Sequence, residues 1–421
     1  MEKDFYIRKI TSESTEQVIQ DIGFDKSYIK QALPKYKFNL YKIQGLTCPQ
    51  ASIIKQIALS IGADAAVHRE VLTCKIDKTD ILIGCTDSQL KALCEKLKKQ
   101  PFKLAKLSGN LLKILNKTPL PIKIRGKTFD WSQKTYIMGI LNVTPDSFSD
   151  GGNFNTPEKA LEQAKILIKT GADIIDIGGE STKPFSKEVL PDEELNRILP
   201  VIKKIREFDK NIPISIDTRH SIVAKEAIKS GADIINDVSG FDWDSNMINI
   251  ATELQVPVII MHSKSSPETM QINPTYEKNI VDAVYESLFD KVKKAVSSGI
   301  KHENIIIDPG IGFGKTLEHN LEIIKRISEF KTLGCAVLVG ISRKSVISQI
   351  INTSPEEKEE NEFTFPPDRQ SRSSEKRRSC FAEEANIALN SYLASQGANI
   401  IRIHDTEKHF KAFKVLDKVL Y

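Results

Sequence analysis

Side chains able to bind or carry charge recur at one kind of place in this 421-residue chain, the polar end of a short apolar run. The set is Asn142, Asp176, Asp217, Asn236 with Asp237, His262, Asp308, the run Ser342-Arg343-Lys344-Ser345, and Arg402 with His404 and Asp405; Gly179-Glu180-Ser181-Thr182-Lys183 follows the second run. Any one of these is an ordinary cap closing a strand. Together they are not, because buried Asp, Arg and Lys are costly unless paired or used, and every run delivers at least one polar candidate. Arg402 and His404 stand two residues apart, so a strand projects them to one side, where they form an anion site. Asn142 reaches the same anion, or its metal, if the first and last runs are neighbours. Diphosphate with Mg2+ is the natural guest, since magnesium keeps several waters and accepts phosphate plus one or two protein oxygens. Asp217, Asn236 and Asp308 gather acceptors and an amide. A flat heterocycle with an amino-amidine edge donates two hydrogen bonds to one such carboxylate, and Lys344 bonds its carbonyl or ring nitrogen. The pattern describes two subsites, a polar interior slot and an anion rim.

Other motifs carry less. Asp308 to Thr316 (DPGIGFGKT) looks like a phosphate-binding loop but lacks the GxxxxGK spacing followed by Ser or Thr. His262 and His404 lack metal-ligand spacing, and no Ser/His/Asp triad assembles on motif grounds.

The elements that must position these residues alternate regularly. Tyr136 to Leu141 is a short apolar strand, and the stretch to Gly152 (YIMGILNVTPDSFSDGG) is a loop longer than the 2 to 6 residues a strand-to-helix turn usually needs, either a solvated turn or a ligand-gripping lid. Helical and strand patterns then follow one another through Asp173–Gly179, Ile212–Thr218, Asp233–Gly240, Pro257–Ser263, Asn304–Pro309, Ala336–Ser342 and Asn399–Thr406, about eight strand-helix units. Gly171-Ala-Asp-Ile-Ile, Gly231-Ala-Asp-Ile-Ile and Gly397-Ala-Asn-Ile-Ile repeat a glycine where a helix ends and a strand begins. An eight-unit parallel (β/α)8 TIM barrel is the simplest closure, with the site at the carboxyl ends of its strands; a doubly wound open sheet is the alternative. Ile122 to Trp131 reads as a hairpin turning at Arg125-Gly126, suited to plug the barrel bottom.

Residues 1–117 read as a small mixed α/β domain, with a boundary at Thr118–Pro121 and the barrel over 118–421. Strands are expected at Tyr36–Ile43, Val71–Ile76 and Asp80–Cys85, and helices at Pro49–Ile61 and at Ser88–Lys99, the latter capped by Asp87. Its one dense polar group, Asp64, His68, Arg69 and Glu70, reads as a solvated turn. Asn352 to Arg378 is polar, proline-bearing and split into acidic and basic halves, so a mobile inserted loop is expected. Six dispersed cysteines without a CxxC pair fit reduced thiols in a cytoplasm rather than a disulfide frame or zinc site, and the N-terminus has no signal-peptide pattern. No membrane helix is expected, and the net charge of +5 is too mild to imply a nucleic-acid partner.

Seven motifs, ILNVTPDSFSDGG, GGESTKP, ISIDT, INDVSG, DPGIGFGKT, GISRKS and IIRIHD, occur in the order found in dihydropteroate synthases, and the chain resembles that family from about Ile122 to its C-terminus. The resemblance implies attack by the amine of p-aminobenzoate on 6-hydroxymethyl-7,8-dihydropterin diphosphate in folate synthesis. It implies that Asp217, Asn236, Asp308 and Lys344 hold the pterin, with Phe313 lining the pocket, and that Asn142, Arg402 and His404 hold the diphosphate with magnesium. It further implies p-aminobenzoate near Thr182, Lys183, Pro184 and Ser345 under a first loop bearing Phe148 and Asp150, and a homodimer built through barrel helices.

Three departures stand out. Lys183 occupies a position where the family usually has arginine followed by Pro-Gly, keeping the charge but losing the planar fork. The fifth strand ends Met261-His262-Ser263 where a second methionine is usual, and the 352–378 insertion is longer than the family needs. Among alternatives, a pterin-binding corrinoid methyltransferase shares the barrel but has no need of the Ser342–Ser345 run with an Arg402/His404 rim. A non-catalytic pterin-binding protein is disfavoured by the intact Asn142, Asp217, Lys344 and Arg402.

Overall fold

In the computed structural model the described residues are all except 1–7, 9, 12–13, 116–117, 145–156, 182–185, 187, 265–268, 271–273 and 354–369, with backbone alone at 352–353 and 370–381. The chain divides into two compact units, Met1–Lys117 and Thr118–Tyr421.

The first unit carries an antiparallel sheet of β1 (Phe38–Leu46), β2 (Asp64–Val67) and β3 (Thr79–Thr86), in the order β1-β3-β2. Helices Cys48–Ser60, Asp87–Leu97 and Leu104–Leu115 supply Ile54, Leu90, Leu93 and Leu104 to one apolar core with Ile81 and Ile83. Three expectations are corrected. Val71–Ile76 forms no strand: Val71 ends a short 3-10 turn, Leu72 is exposed and Cys74 has a positive φ of 51°. The strand is Asp64–Val67, whose alternation is shorter, so Asp64 lies in the sheet rather than in a turn. The second helix is capped by Thr86 rather than Asp87: Gln89 N–H donates to Thr86 Oγ1 at 3.3 Å and Thr86 N–H to Gln89 Oε1 at 2.9 Å, satisfying two otherwise unpaired donors.

The second unit begins with a hairpin, β4 (Ile122–Ile124) and β5 (Lys127–Phe129). Arg125 and Gly126 take φ of 46° and 79°, the left-handed pair that a two-residue turn needs to follow strand twist. Its Ile122, Ile124 and Phe129 pack with Trp131 against Tyr136, Ile174, Ile234, Ile306 and Ile400, which begin or nearly begin barrel strands, so the hairpin plugs the barrel floor.

The barrel closes from eight parallel strands: β6 (Tyr136–Asn142), β7 (Ile174–Gly178), β8 (Ile214–Asp217), β9 (Ile234–Asp237), β10 (Val258–Met261), β11 (Ile305–Asp308), β12 (Ala336–Val339) and β13 (Ile400–Ile403), with β13 paired to β6. Nearly continuous Ile and Val suit strands covered on both faces. Helices cover the outside. In Pro191–Phe208, proline near the start pre-sets φ and Asp192, Glu193 and Glu194 meet the positive helix end, while Ile198, Val201, Ile202 and Ile205 are buried. Each such aliphatic side chain contributes about 1.5–3 kcal/mol, so Ile202→Ala alone is expected to cost about 2–5 kcal/mol.

The thrice-repeated Gly-Ala-Asp/Asn element has a physical meaning. Asp173, Asp233 and Asn399 each donate their own N–H to a carbonyl of the preceding neighbour strand, at Ile137, Ile214 and Val337, and accept that residue's N–H on the side chain at 2.9 Å. The pair pins strand register at the floor. Gly171 supplies the preceding turn at φ 104°, and a Cβ there would lie 2.3 Å from the Phe410 ring.

The expected loop over 352–378 is corrected at its C-terminal end. Helix Gln370–Ser395 begins inside it, after Pro367, where Gln370, Arg372, Glu375, Lys376, Arg377 and Arg378 are good helix formers; the rest of the segment, beyond helix Ser345–Thr353, lies outside the described residues.

Candidate active site

The polar residues named above converge at the carboxyl end of the barrel, where strands stop and loops begin. Asn142 ends β6 half-buried, and its carboxamide makes no hydrogen bond among the described residues. Asp176 on β7 is fully buried, and Asp217 and Asn236 end or nearly end the next two strands.

These side chains form one network. Arg402 Nε donates to Asp176 Oδ2 and its Nη2 to Asp217 Oδ2, both at 2.7 Å. Asn236 Nδ2 donates to both oxygens of Asp176, at 3.3 and 3.2 Å. Asp217 Oδ1 is buried with no hydrogen-bond partner among the described residues. Burial pushes the Asp217 carboxyl up to about 7, with Asp176 and more distant carboxylates adding and Arg402 opposing. An unsatisfied buried acceptor costs about 1–3 kcal/mol. A ligand that brings a donor removes that cost.

Lys344 brings a second cation within electrostatic reach of Asp217 and Asp308. Lys344 follows β12, donates to the Ile311 carbonyl at 2.6 Å and lies 4.4 Å above the Phe313 ring. Burial lowers its ammonium to about 8, with Asp308 opposing the shift and Arg402 adding to it. Asp308 is buried, accepts the Gly310 N–H at 2.7 Å and is raised by burial against the pull of Lys344. Phe313 packs with Val238, Met261 and Met270 as an apolar flank. The set combines carboxylate acceptors, two cations and an aromatic ring, a chemistry suited to a flat polar ring.

His404 meets Ser342, which follows β12. Its Nδ1 is 3.0 Å from Ser342 Oγ, which also takes its N–H at 3.4 Å. The side edge of Arg402 is committed to two carboxylates, and its other three N–H groups are uncommitted among the described residues. Ser345 is exposed and opens helix Ser345–Thr353. Phe148, Asp150, Thr182, Lys183 and Pro184 lie outside the described residues.

Several polar strand-end residues prove structural. Asp237 accepts from Ser239 N–H, Ser239 Oγ and Phe241 N–H, and Asp405 caps the last helix through Lys408 N–H at 3.3 Å. Buried His262 faces Lys315, whose ammonium lies 3.0 Å from Nδ1 and donates to the Gly310 and Phe313 carbonyls. Burial and that neighbouring cation hold the imidazole well below its ordinary range. Glu180 receives a bidentate Arg219 at 2.9 Å and the Val189 N–H, tying together both ends of the second loop. Lys315 as a carbonyl anchor escaped the sequence reading, and Asp176, named there among the strand-end residues, was given no role as a hub. Only its charge among apolar neighbours marked Asp176.

Among the described residues no group of three or more His, Cys, Asp or Glu is placed to hold a metal ion. A cation held chiefly by an anionic guest needs one protein oxygen, and the unbonded Asn142 carboxamide fits that demand.

Residues 138–404 match the pterin binding enzyme family. The chain is 40% identical over 299 residues to dihydropteroate synthase of Synechocystis, spanning 71% of this chain and 95% of that protein. A probable bifunctional folylpolyglutamate synthase/dihydropteroate synthase of Haloferax volcanii is 35% identical over 378 residues, 87% of this chain and 41% of the relative, a span longer than the barrel unit. Among solved structures, dihydropteroate synthase from Xanthomonas albilineans in complex with 7,8-dihydropteroate superposes with a TM-score of 0.58 at 30% identity, over 71% of this chain and 98% of that one.

Proposed function

The chain belongs to the pterin-binding enzymes, and from that premise we propose how its barrel carries out the dihydropteroate synthase reaction. The enzyme is a transferase of folate synthesis that joins p-aminobenzoate to the methylene of 6-hydroxymethyl-7,8-dihydropterin diphosphate, giving 7,8-dihydropteroate and diphosphate.

Asp217, Asn236, Asp308 and Lys344 hold the pterin in this proposal, with Phe313 against its face. The observation that carries it is the buried, unpartnered Asp217 Oδ1 beside Asn236 and Arg402. The amino-amidine edge of a pterin supplies the missing donors, and two hydrogen bonds to a carboxylate are geometrically specific. Lys344, protonated below about pH 8, donates to the carbonyl or ring nitrogen. Asn142, Arg402 and His404 take the diphosphate.

An aromatic amine is already nucleophilic, so the demanding event is departure of diphosphate. The free N–H groups of Arg402 stabilise the leaving oxygens, and the carboxylates of Asp176, Asp217 and Asp308 favour positive charge developing on the pterin methylene. Mg2+ held by diphosphate and Asn142 would supply further neutralisation of the leaving group. p-Aminobenzoate is assigned to Ser345 at the helix start; Thr182, Lys183, Pro184, Phe148 and Asp150, assigned to it as well, lie outside the described residues. The assembly proposed is a cytoplasmic homodimer.

The test supplies magnesium, pterin diphosphate and p-aminobenzoate and measures dihydropteroate and diphosphate together, with Arg402→Ala as control. Equal release of both products, lost in the control, supports the assignment. Product formation unchanged in Arg402→Ala would remove Arg402 from the reaction.

A further inference from the structure

We infer that Asp176 is a positioning residue of the reaction: it holds the guanidinium of Arg402 and the amide of Asn236 in their working orientations once substrate has taken Asp217. The inference rests on the residue assignments proposed above and adds a residue that itself touches no substrate.

The geometry carries it. Asp176 is fully buried, and it accepts Arg402 Nε at 2.7 Å and Asn236 Nδ2 at 3.2 and 3.3 Å. Nε–H and the adjacent Nη2–H form one edge of a guanidinium, an edge that usually grips a single carboxylate. Here that edge is split, one donor to Asp176 and the other to Asp217. A pterin edge that donates twice to Asp217 competes for the oxygen holding Arg402. In the loaded enzyme the arginine then keeps one anchor, Asp176. That anchor leaves the distal N–H groups facing the diphosphate.

The same carboxylate fixes the amide of Asn236. With Nδ2 donating to Asp176, the carbonyl Oδ1 is turned away from it as an acceptor. Without the carboxylate the amide loses its only hydrogen-bonded restraint among the described residues, and the pterin meets a mixture of donor and acceptor. One buried side chain thus ties the slot to the rim.

The test uses the full chain and four proteins: wild type, Asp176→Asn, Arg402→Gln and the double variant. Binding of pterin diphosphate and of the corresponding hydroxymethyl pterin is measured by calorimetry, beside steady-state kinetics. Asp176→Asn is expected to lower kcat/KM about 100-fold, the scale of one lost charge-assisted contact in a water-excluded site. It is also expected to weaken pterin diphosphate more than hydroxymethyl pterin. In the Arg402→Gln background the same change should alter diphosphate-dependent affinity less than about 3-fold, since coupled residues are not additive. The double variant also covers instability of Asp176→Asn, because it removes both members of the buried pair rather than stranding one. Wild-type kinetics in Asp176→Asn, or an undiminished effect of that change in the Arg402→Gln background, would overturn the inference. If wild type binds neither pterin, the residue assignments fail rather than the role of Asp176.

Discussion

Asp217→Asn separates a binding role from a structural one. In the folded protein the carboxyl is pushed up to about 7, well above the 3.8 of a free aspartate, even with Arg402 beside it. The native state therefore holds its proton more tightly than the unfolded chain. Stability contributed through this group falls as pH rises from the unfolded value towards about 7, then levels. Removing the carboxylate costs the fold little at neutral pH, and the variant is expected to unfold within about 1 kcal/mol of wild type or later. Binding behaves oppositely. Two hydrogen bonds to a carboxylate are worth about 1.5–3 kcal/mol each, so the variant should bind hydroxymethyl-dihydropterin about 100- to 10,000-fold more weakly. The ligand prefers the ionised carboxylate, so in wild type affinity should rise with pH up to about 7, improving about 25-fold from pH 5.5 to pH 7.5, with proton release on binding. A ligand lacking diphosphate keeps phosphate ionisation out of the measurement. Calorimetry in two buffers of different ionisation heat counts the proton. Flat wild-type affinity over that range, or near-wild-type binding by Asp217→Asn, would refute the reasoning; so would a fold lost together with binding.

Lys344 should set the alkaline limb of kcat/KM for the free enzyme, which falls as pH passes about 8, whereas Lys344→Arg should lose that limb while binding pterin more weakly; a pH–rate profile reads both. Asp233 accepts Arg206 and Arg125 as well as the Ile214 N–H at the barrel floor, so Asp233→Ala should cost about 3–5 kcal/mol in urea unfolding with kcat unchanged in the folded fraction. Residues 118–421, expressed alone, should fold and retain synthase turnover, because the barrel unit holds every described residue assigned to substrate; loss of turnover from a folded fragment would give the first unit a catalytic role.

The fold was legible because its strands are short, apolar and bounded by repeated turn chemistry. The helix-to-strand glycines at 171, 231 and 397 all take positive φ, and the following Asp or Asn makes the same reciprocal backbone pair each time, so the repeat encodes register as well as count. In the first unit the reading of Val71–Ile76 as strand failed for a local reason. Apolar and polar residues alternate there only briefly, and Cys74 adopts a conformation that interrupts extension. The helix from Gln370 was masked by composition: a run rich in charge reads as solvated loop although its residues favour helix.

At the site, residue types were legible and partners were not. Strand alternation places Arg402 towards the barrel interior, but it cannot say that Asp176, more than two hundred residues earlier, will meet its Nε, because that pairing exists only after β13 has closed against β6 and β7 has taken its place beside it. The distinction matters for chemistry. A guanidinium read as a free anion binder would recruit diphosphate by charge alone, whereas one shared between two carboxylates is nearly neutralised until a pterin claims Asp217. In the proposed reaction, charge for the leaving group is released by occupation of Asp217, and free diphosphate is expected to bind more weakly than pterin diphosphate, a difference calorimetry reads. A closed barrel suits such coupling, since its strand ends bring far-separated residues within hydrogen-bond distance on a rigid frame.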